Sequence, residues 1–99
     1  MVVVIFRSRL RAETIDEFRP WAKRMMELAH AMPGFISSQD YESAGGDRCS
    51  IIEFASQEHL AAWRNHPEHQ EAQRLGREYF FEEYSLHVGE TVRESHFKA

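Results

Sequence analysis

Hydrophobic and polar positions change their spacing several times along the chain. Val2 to Leu10 opens with Val2, Val4 and Phe6 pointing one way and Val3 and Ile5 the other, the period of a strand. Both of its sides are apolar, so both are expected to be covered: one by helices, the other by a second subunit. From Ile15 the period lengthens. Ile15, Phe18, Trp21, Ala22, Met25, Leu28, Ala29 and Met32 fall within roughly 140° of arc on a helix turning 100° per residue. Thr14-Ile15-Asp16-Glu17 has the spacing of a capping box, which puts Thr14 at the cap and has Glu17 reach back. Pro20 sits on the polar side of this helix. The apolar stripe keeps its phase across the proline, which favours a bent helix over one that breaks and restarts.

Pro33-Gly34 stops the helix. A second strand is predicted from Phe35 to Ser43, a hairpin connection at Ala44-Gly45-Gly46-Asp47, and a third strand from Arg48 to Ala55. Ser56 is placed to cap a second helix running to about Asn65, anchored by Leu60 and Trp63. Pro67 cannot continue that helix but suits the start of another, expected from Glu68 to about Leu75. Tyr84, Leu86, Val88 and Val92 alternate within a fourth strand predicted over Glu83 to Phe97. The order β-α-β-β-α-β predicts one ferredoxin-like α+β domain over residues 1–99, a four-stranded antiparallel sheet with helices on one face. The opposite face is expected to carry Val3, Ile5, Phe35 or Ile36, and Leu86. Such an apolar face predicts a twofold homodimer packed sheet to sheet into an α/β barrel.

Charge and length narrow the function. A chain of 99 residues has a small core of its own, which also favours a dimer. Its net charge is −4 and it has no basic stripe, so neither nucleic acid nor a membrane surface is an expected partner. The apolar run at the start meets Arg7 at once. It is too short for a signal peptide or a membrane span, and a cytoplasmic protein is expected. Cys49 is the only cysteine, so no disulfide within the chain and no cysteine metal site is available.

Met32-Pro33-Gly34-Phe35 after the first helix resembles a Pro-Gly-Phe turn of the antibiotic biosynthesis monooxygenase family, within the dimeric α/β-barrel group. Ser56-Gln57-Glu58-His59-Leu60-Ala61-Ala62-Trp63 resembles that family's Ser-x-Glu-x-Leu-x-x-Trp helix. His66-Pro67-Glu68-His69, followed by Ala72-Gln73, resembles the segment after it, and the final strand also fits. The resemblance implies a pocket between helices and sheet in each subunit. It further implies oxidation of polycyclic phenols or quinols by O₂ without a cofactor, or in another branch the breakdown of haem. That branch pairs an Asn on the first strand with the helix-two Trp and a His ten residues later. Here Trp63 matches, Gln73 stands at the His position, and Arg7 or Ser8 stands at the Asn position. His69, one turn before Gln73, is the available substitute.

Cofactor-free oxygenation asks the protein for a base near neutrality, a hydrogen-bond donor and a water-poor aromatic cavity. His59, Trp63 and His66 at i, i+4 and i+7 would share a helical face, with His69 just beyond. We take His66 and His69 as the candidate catalytic bases and Trp63 as a pocket wall. Against this stands plain packing for Trp63 and solvation for either histidine. Arg7 is a candidate contact for an anionic substrate, or a rim residue in an ion pair. Glu53, in the middle of an apolar strand, is either paired, a rival base, or part of the dimer interface. Tyr41 is a candidate hydrogen-bond donor to substrate, with packing as its competing role. Two histidines separated by Pro67 do not make a zinc site, so no metal is expected. No glycine-rich phosphate loop is present, so no nucleotide or flavin cofactor is expected either. The sequence thus points to a cofactor-independent monooxygenase acting on a small aromatic, quinol or polyketide-like substrate with O₂. The alternatives are a non-catalytic dimeric carrier of a small hydrophobic metabolite and a haem-binding or haem-degrading protein.

Overall fold

A computed structural model describes residues 1–99. Strand β1 (Val2–Leu10) leads through a 3-10 turn (Ala12–Thr14) into helix α1 (Ile15–Ala31). A hairpin follows, β2 (Phe35–Glu42) and β3 (Asp47–Phe54), then helices α2 (Gln57–Arg64) and α3 (Pro67–Leu75). A π-helical turn (Gly76–Phe80) delivers the chain to β4 (Phe81–Glu90). The sheet order is β2-β3-β1-β4, and every neighbouring pair is antiparallel. This is the ferredoxin-like α+β arrangement that the pattern of the sequence predicts.

Strand register decides which side chains face the helices. Val2 pairs with Phe54 and Val4 with Ile52 on one side of β1; Phe6 pairs with Leu86 and Ser8 with Tyr84 on the other. Even-numbered positions of β1, β3 and β4 therefore share one face. Val2, Val4, Ile52 and Phe54 pack there against Met25, Leu28 and Ala29 of α1 and Leu60 and Trp63 of α2. Leu86 belongs to this face, not to the outer one where the sequence reading put it, because it lies across from Phe6. Phe35 is also drawn inward, packing edge-on against Phe54 with ring centroids 5.8 Å apart. Ile36 sits where the β2–β3 register shifts and stays exposed. The outer face carries Val3, Ile5 and Ile51, and no element of the chain covers it.

Helix α1 runs without a break through Pro20. The capping box expected at its start does not form. Thr14 is the cap residue, but φ −107° and ψ −1° turn its hydroxyl away from the first helical amides. The hydroxyl is instead buried and donates to the carbonyls of Arg11 at 2.9 Å and Phe80 at 3.3 Å. It ties the start of α1 to the π turn.

Ser56 does cap α2: its hydroxyl accepts from the His59 amide at 3.2 Å and lies 2.7 Å from His59 Nδ1. The His59 ring fills the notch over Gly34, where φ is +81° and a Cβ would come within 2.2 Å of the imidazole. Glycine is needed at the helix stop on both counts. Arg24 of α1 grips Glu68 of α3 with two hydrogen bonds, of 2.6 and 2.7 Å, closing the helical layer. Strand β4 ends at Glu90 rather than Phe97: Thr91 donates to the carbonyl of Met1, and with β1 beginning at Val2 no further partner strand exists. Residues 91–99 have no regular structure, and Val92 and Phe97 are exposed. No helix is long and apolar enough to cross a membrane.

Candidate functional site

The helices do not fill the space over the inner face of the sheet. A cavity of about 370 Å³ remains between α1, the α2–α3 corner, the π turn and the strands. That is within the range of small-molecule sites, roughly 300–1,000 Å³. Phe6, Tyr84 and Phe81 meet in one aromatic cluster, with centroids 5.4 to 5.9 Å apart. Phe18 of α1 reaches down to Phe80 and Phe81 at 5.5 and 5.6 Å. Gly76 lets the Phe81 ring pass close by; a Cβ there would stand 2.8 Å from it.

The polar groups are few. At the α2–α3 corner the His69 ring stacks on Trp63, centroids 4.0 Å apart and planes 19° apart. His69 Nδ1 lies 3.1 Å from the carbonyl oxygen of Trp63. A carbonyl only accepts, and this contact is shorter than the 3.4 Å from Nδ1 to the Gln73 amide nitrogen, which already donates to the Arg64 carbonyl; Nδ1 therefore carries the proton and Nε2 presents a lone pair. No group of the protein hydrogen-bonds to Nε2. Burial pushes the His69 pKa below its ordinary 6.5. The hydrogen bond to Trp63 opposes that shift, and the nearby His66 adds to it. The imidazole is thus neutral at pH 7 and available to take a proton. Beside it, the indole N–H of Trp63 is buried and has no hydrogen-bond partner. An orphaned buried donor costs about 1–3 kcal/mol, which an oxygen atom of a ligand would recover.

Other residues singled out from the sequence lie elsewhere. His66 does not line the cavity; it caps α3, its Nδ1 accepting from the amide of Glu68 at 3.2 Å. Arg7, Glu53 and Tyr41 project from the outer face of the sheet, away from the cavity. Glu53 accepts a hydrogen bond from Ser37, not from an arginine, and Tyr41 donates to Gln39. Arg7 and Tyr41 do line one polar groove, at the end of the sheet with Cys49 and Glu83. The residues of the haem-degrading arrangement are only partly present. Gln73 lines the cavity with its amide donating to the Arg64 carbonyl at 2.9 Å, and Ser8, not an Asn, is the inward residue of β1. The donor set that family branch relies on is therefore not reproduced here.

Arg48, Ser50 and Asp40 form a polar strip on the cavity floor. Ser50 donates to Asp40, Arg48 pairs with Glu42 at 2.7 Å, and the Arg48 guanidinium lies 5.2 Å from the centre of the Phe18 ring. Strand parity could have found them: Arg48 and Ser50 share the face of Ile52 and Phe54, whose apolar character marks it as inward.

Comparison with known proteins agrees with this architecture. A family model described as antibiotic biosynthesis monooxygenase matches residues 1–75. An uncharacterized protein, YqjZ of Bacillus subtilis (strain 168), is 32% identical over 95 residues, covering 96% of this chain and 82% of its own. The jasmonate monooxygenase ABM of Pyricularia oryzae is 30% identical over 94 residues, 93% of this chain but 44% of that longer protein. Among solved structures, Rv0793 from Mycobacterium tuberculosis superposes with a TM-score of 0.84 at 24% identity, covering 96% of this chain and 98% of its own. A mutant of SnoaB, a cofactor-independent oxygenase from Streptomyces nogalater, gives 0.79 at 12% identity and covers 94% of each chain. At these identities the two structures speak for the fold.

Proposed function

The chain belongs to the antibiotic biosynthesis monooxygenase family, and we propose that it is a cofactor-independent monooxygenase that oxidises a small aromatic or quinol-type substrate with O₂ in the cavity beneath α1. The observation that carries this reading is the Trp63–His69 pair: a neutral imidazole with a free Nε2 stacked beside an unpartnered indole N–H, on the wall of an apolar pocket. The names of a relative and of a structural neighbour, a monooxygenase and a cofactor-independent oxygenase, support the reaction class.

In this mechanism His69 Nε2 removes an acidic proton from the substrate, and the Trp63 N–H stabilises the oxyanion that results. The anion passes one electron to O₂. The radical pair combines into a carbon-bound peroxide anion, which takes the proton back from His69 Nε2 to become the hydroperoxide. Loss of water from the peroxide leaves a new carbonyl, so one oxygen atom enters the product and the other leaves as water. The chain's part is deprotonation, orientation and exclusion of water. Of the two histidines in the candidate motif, His69 takes the role of base, because the Nδ1 of His66 is engaged as a helix cap and its ring lies off the cavity.

We further propose a homodimer formed through the outer face of the sheet, where Ile5 is 38% exposed and nothing in the chain covers it. Sizing with light scattering tests that point. The catalytic reading is tested with an oxygen electrode on a panel of anthrones and hydroquinones. Turnover should fall at least about a hundredfold in His69→Ala, the usual worth of a general base. Ligand binding with no O₂ uptake across the panel would instead make the protein a carrier.

A further inference from the structure

We propose that this cavity selects a carboxylic acid, an apolar body bearing one carboxylate, and that Arg64 and Arg77 at its rim are the residues that read the charge. The proposal rests on the cavity being the substrate site; it does not depend on oxygen chemistry.

The argument starts from charge. The chain as a whole is acidic, with a net charge of −4. The cavity is not: among its lining residues three arginines, Arg48, Arg64 and Arg77, face a single carboxylate, Asp40, so that with His69 neutral its wall has a formal charge of plus two. The floor charges are engaged within the protein: Glu42 neutralises Arg48, and Asp40 accepts a hydrogen bond from the Ser50 hydroxyl while keeping its charge, so that with Glu42 included the site retains a formal charge of plus one. The rim charges are not. Neither Arg64 nor Arg77 makes an ion pair or a side-chain hydrogen bond, whereas Arg24 of α1 and Arg74 of α3 are each bound to two glutamates.

The two free guanidiniums are also joined by local structure. Gln73 and Arg77 are four residues apart along the helical path from α3 into the π turn, and the amide of Gln73 donates to the backbone carbonyl of Arg64. Arg64, Gln73 and Arg77 therefore form one stretch of rim beside the His69–Trp63 wall. An apolar body held by Phe6, Phe18 and Leu86 leaves a carboxylate at this rim, where guanidiniums offer paired N–H donors.

The test is isothermal titration of the folded protein with 2-naphthoate and its neutral isostere 2-naphthamide at low salt, in wild type, Arg64→Gln/Arg77→Gln and Arg74→Gln. We expect the acid to bind on the order of tenfold tighter than the amide, a difference of about 1.4 kcal/mol. The ratio should fall towards one in the double variant and in 0.5 M salt. It should be unchanged in Arg74→Gln, which removes a positive charge that is already paired. Equal affinities in wild type would overturn the proposal and leave the cavity standing as a site for neutral molecules. A preference that survives in the double variant would overturn the assignment to Arg64 and Arg77. If neither probe binds to protein shown by circular dichroism to be folded, the cavity reading and this proposal fall together. Preference for the acid together with no O₂ uptake across the anthrone and hydroquinone panel would uphold the proposal and count against the oxygenase alone.

Discussion

Replacing Gly34 by alanine should destabilise the protein by about 3 kcal/mol, about half of it through one neighbour. The backbone supplies the other half: holding an L-residue at a φ of +81° costs roughly 1–2 kcal/mol. The added Cβ would stand 2.2, 2.5 and 2.6 Å from Cγ, Cδ2 and Nδ1 of His59, all well inside ordinary contact. The ring must leave its notch, and with it goes its 2.7 Å hydrogen bond to Ser56, worth about 1 kcal/mol. The Gly34 carbonyl accepts from Ala55 at 2.7 Å, so a displaced turn also disturbs the exit from β3. In a domain of this size each kcal/mol moves Tm by about 4–8 °C, so a loss of at least about 12 °C is expected. The assay is a double-mutant cycle by urea denaturation with Gly34→Ala, His59→Ala and both. Without the imidazole only the backbone cost remains, so the two changes should couple by roughly 1–2 kcal/mol. A cost for Gly34→Ala that is the same in the His59→Ala background would refute the steric argument.

Further outcomes follow from the site and from the start of α1. Burial holds folded His69 below 6.5, so between its folded pKa and 6.5 the unfolded chain binds the proton more strongly. Stability should therefore rise with pH through that window and fall as pH drops below 6.5, and a His69→Gln variant should lack this slope in denaturation curves taken from pH 5 to 7.5. For the same reason the acid limb of kcat/KM should lie below pH 6.5; a limb above it would rule out His69 as the base. Trp63→Phe keeps an aromatic ring but removes the unpartnered N–H, and kcat for O₂ uptake should fall on the order of a hundredfold, as for loss of one oxyanion donor. Thr14→Val deletes both hydroxyl–carbonyl bonds while keeping the shape of the side chain; a loss of about 1–2 kcal/mol is expected in urea denaturation, largely restored in Thr14→Ser.

The elements themselves were legible because each has a clear period or a stop signal: the stripe from Ile15 to Met32, the Pro33-Gly34 break, the Ser56 cap. What could not be read was phase between elements. The alternation of Tyr84, Leu86 and Val88 is correct for β4, but which side they face follows only from the pairing of Phe6 with Leu86, a contact across most of the chain. The capping box failed for a similar reason. Its spacing is local, yet the Thr14 hydroxyl is claimed by Phe80, a residue the π turn brings to it from 66 positions away.

The histidines show the same limit at the site. Placing His59, Trp63 and His66 on one face assumes a helix that runs through all three, but α2 ends at Arg64 and α3 starts at Pro67. The reset at this corner gives each residue a different task. His59 fills the Gly34 notch, Trp63 joins the core and the cavity wall, and His66 becomes a cap. His69, on the new helix, is carried back over Trp63. Its ring meets the carbonyl of the residue it stacks on, which fixes the tautomer, and the same burial that excludes water keeps it neutral. A break in a helix, visible in the sequence only as a proline that ends one element and begins the next, thus separates the structural histidines from the one free to accept a proton.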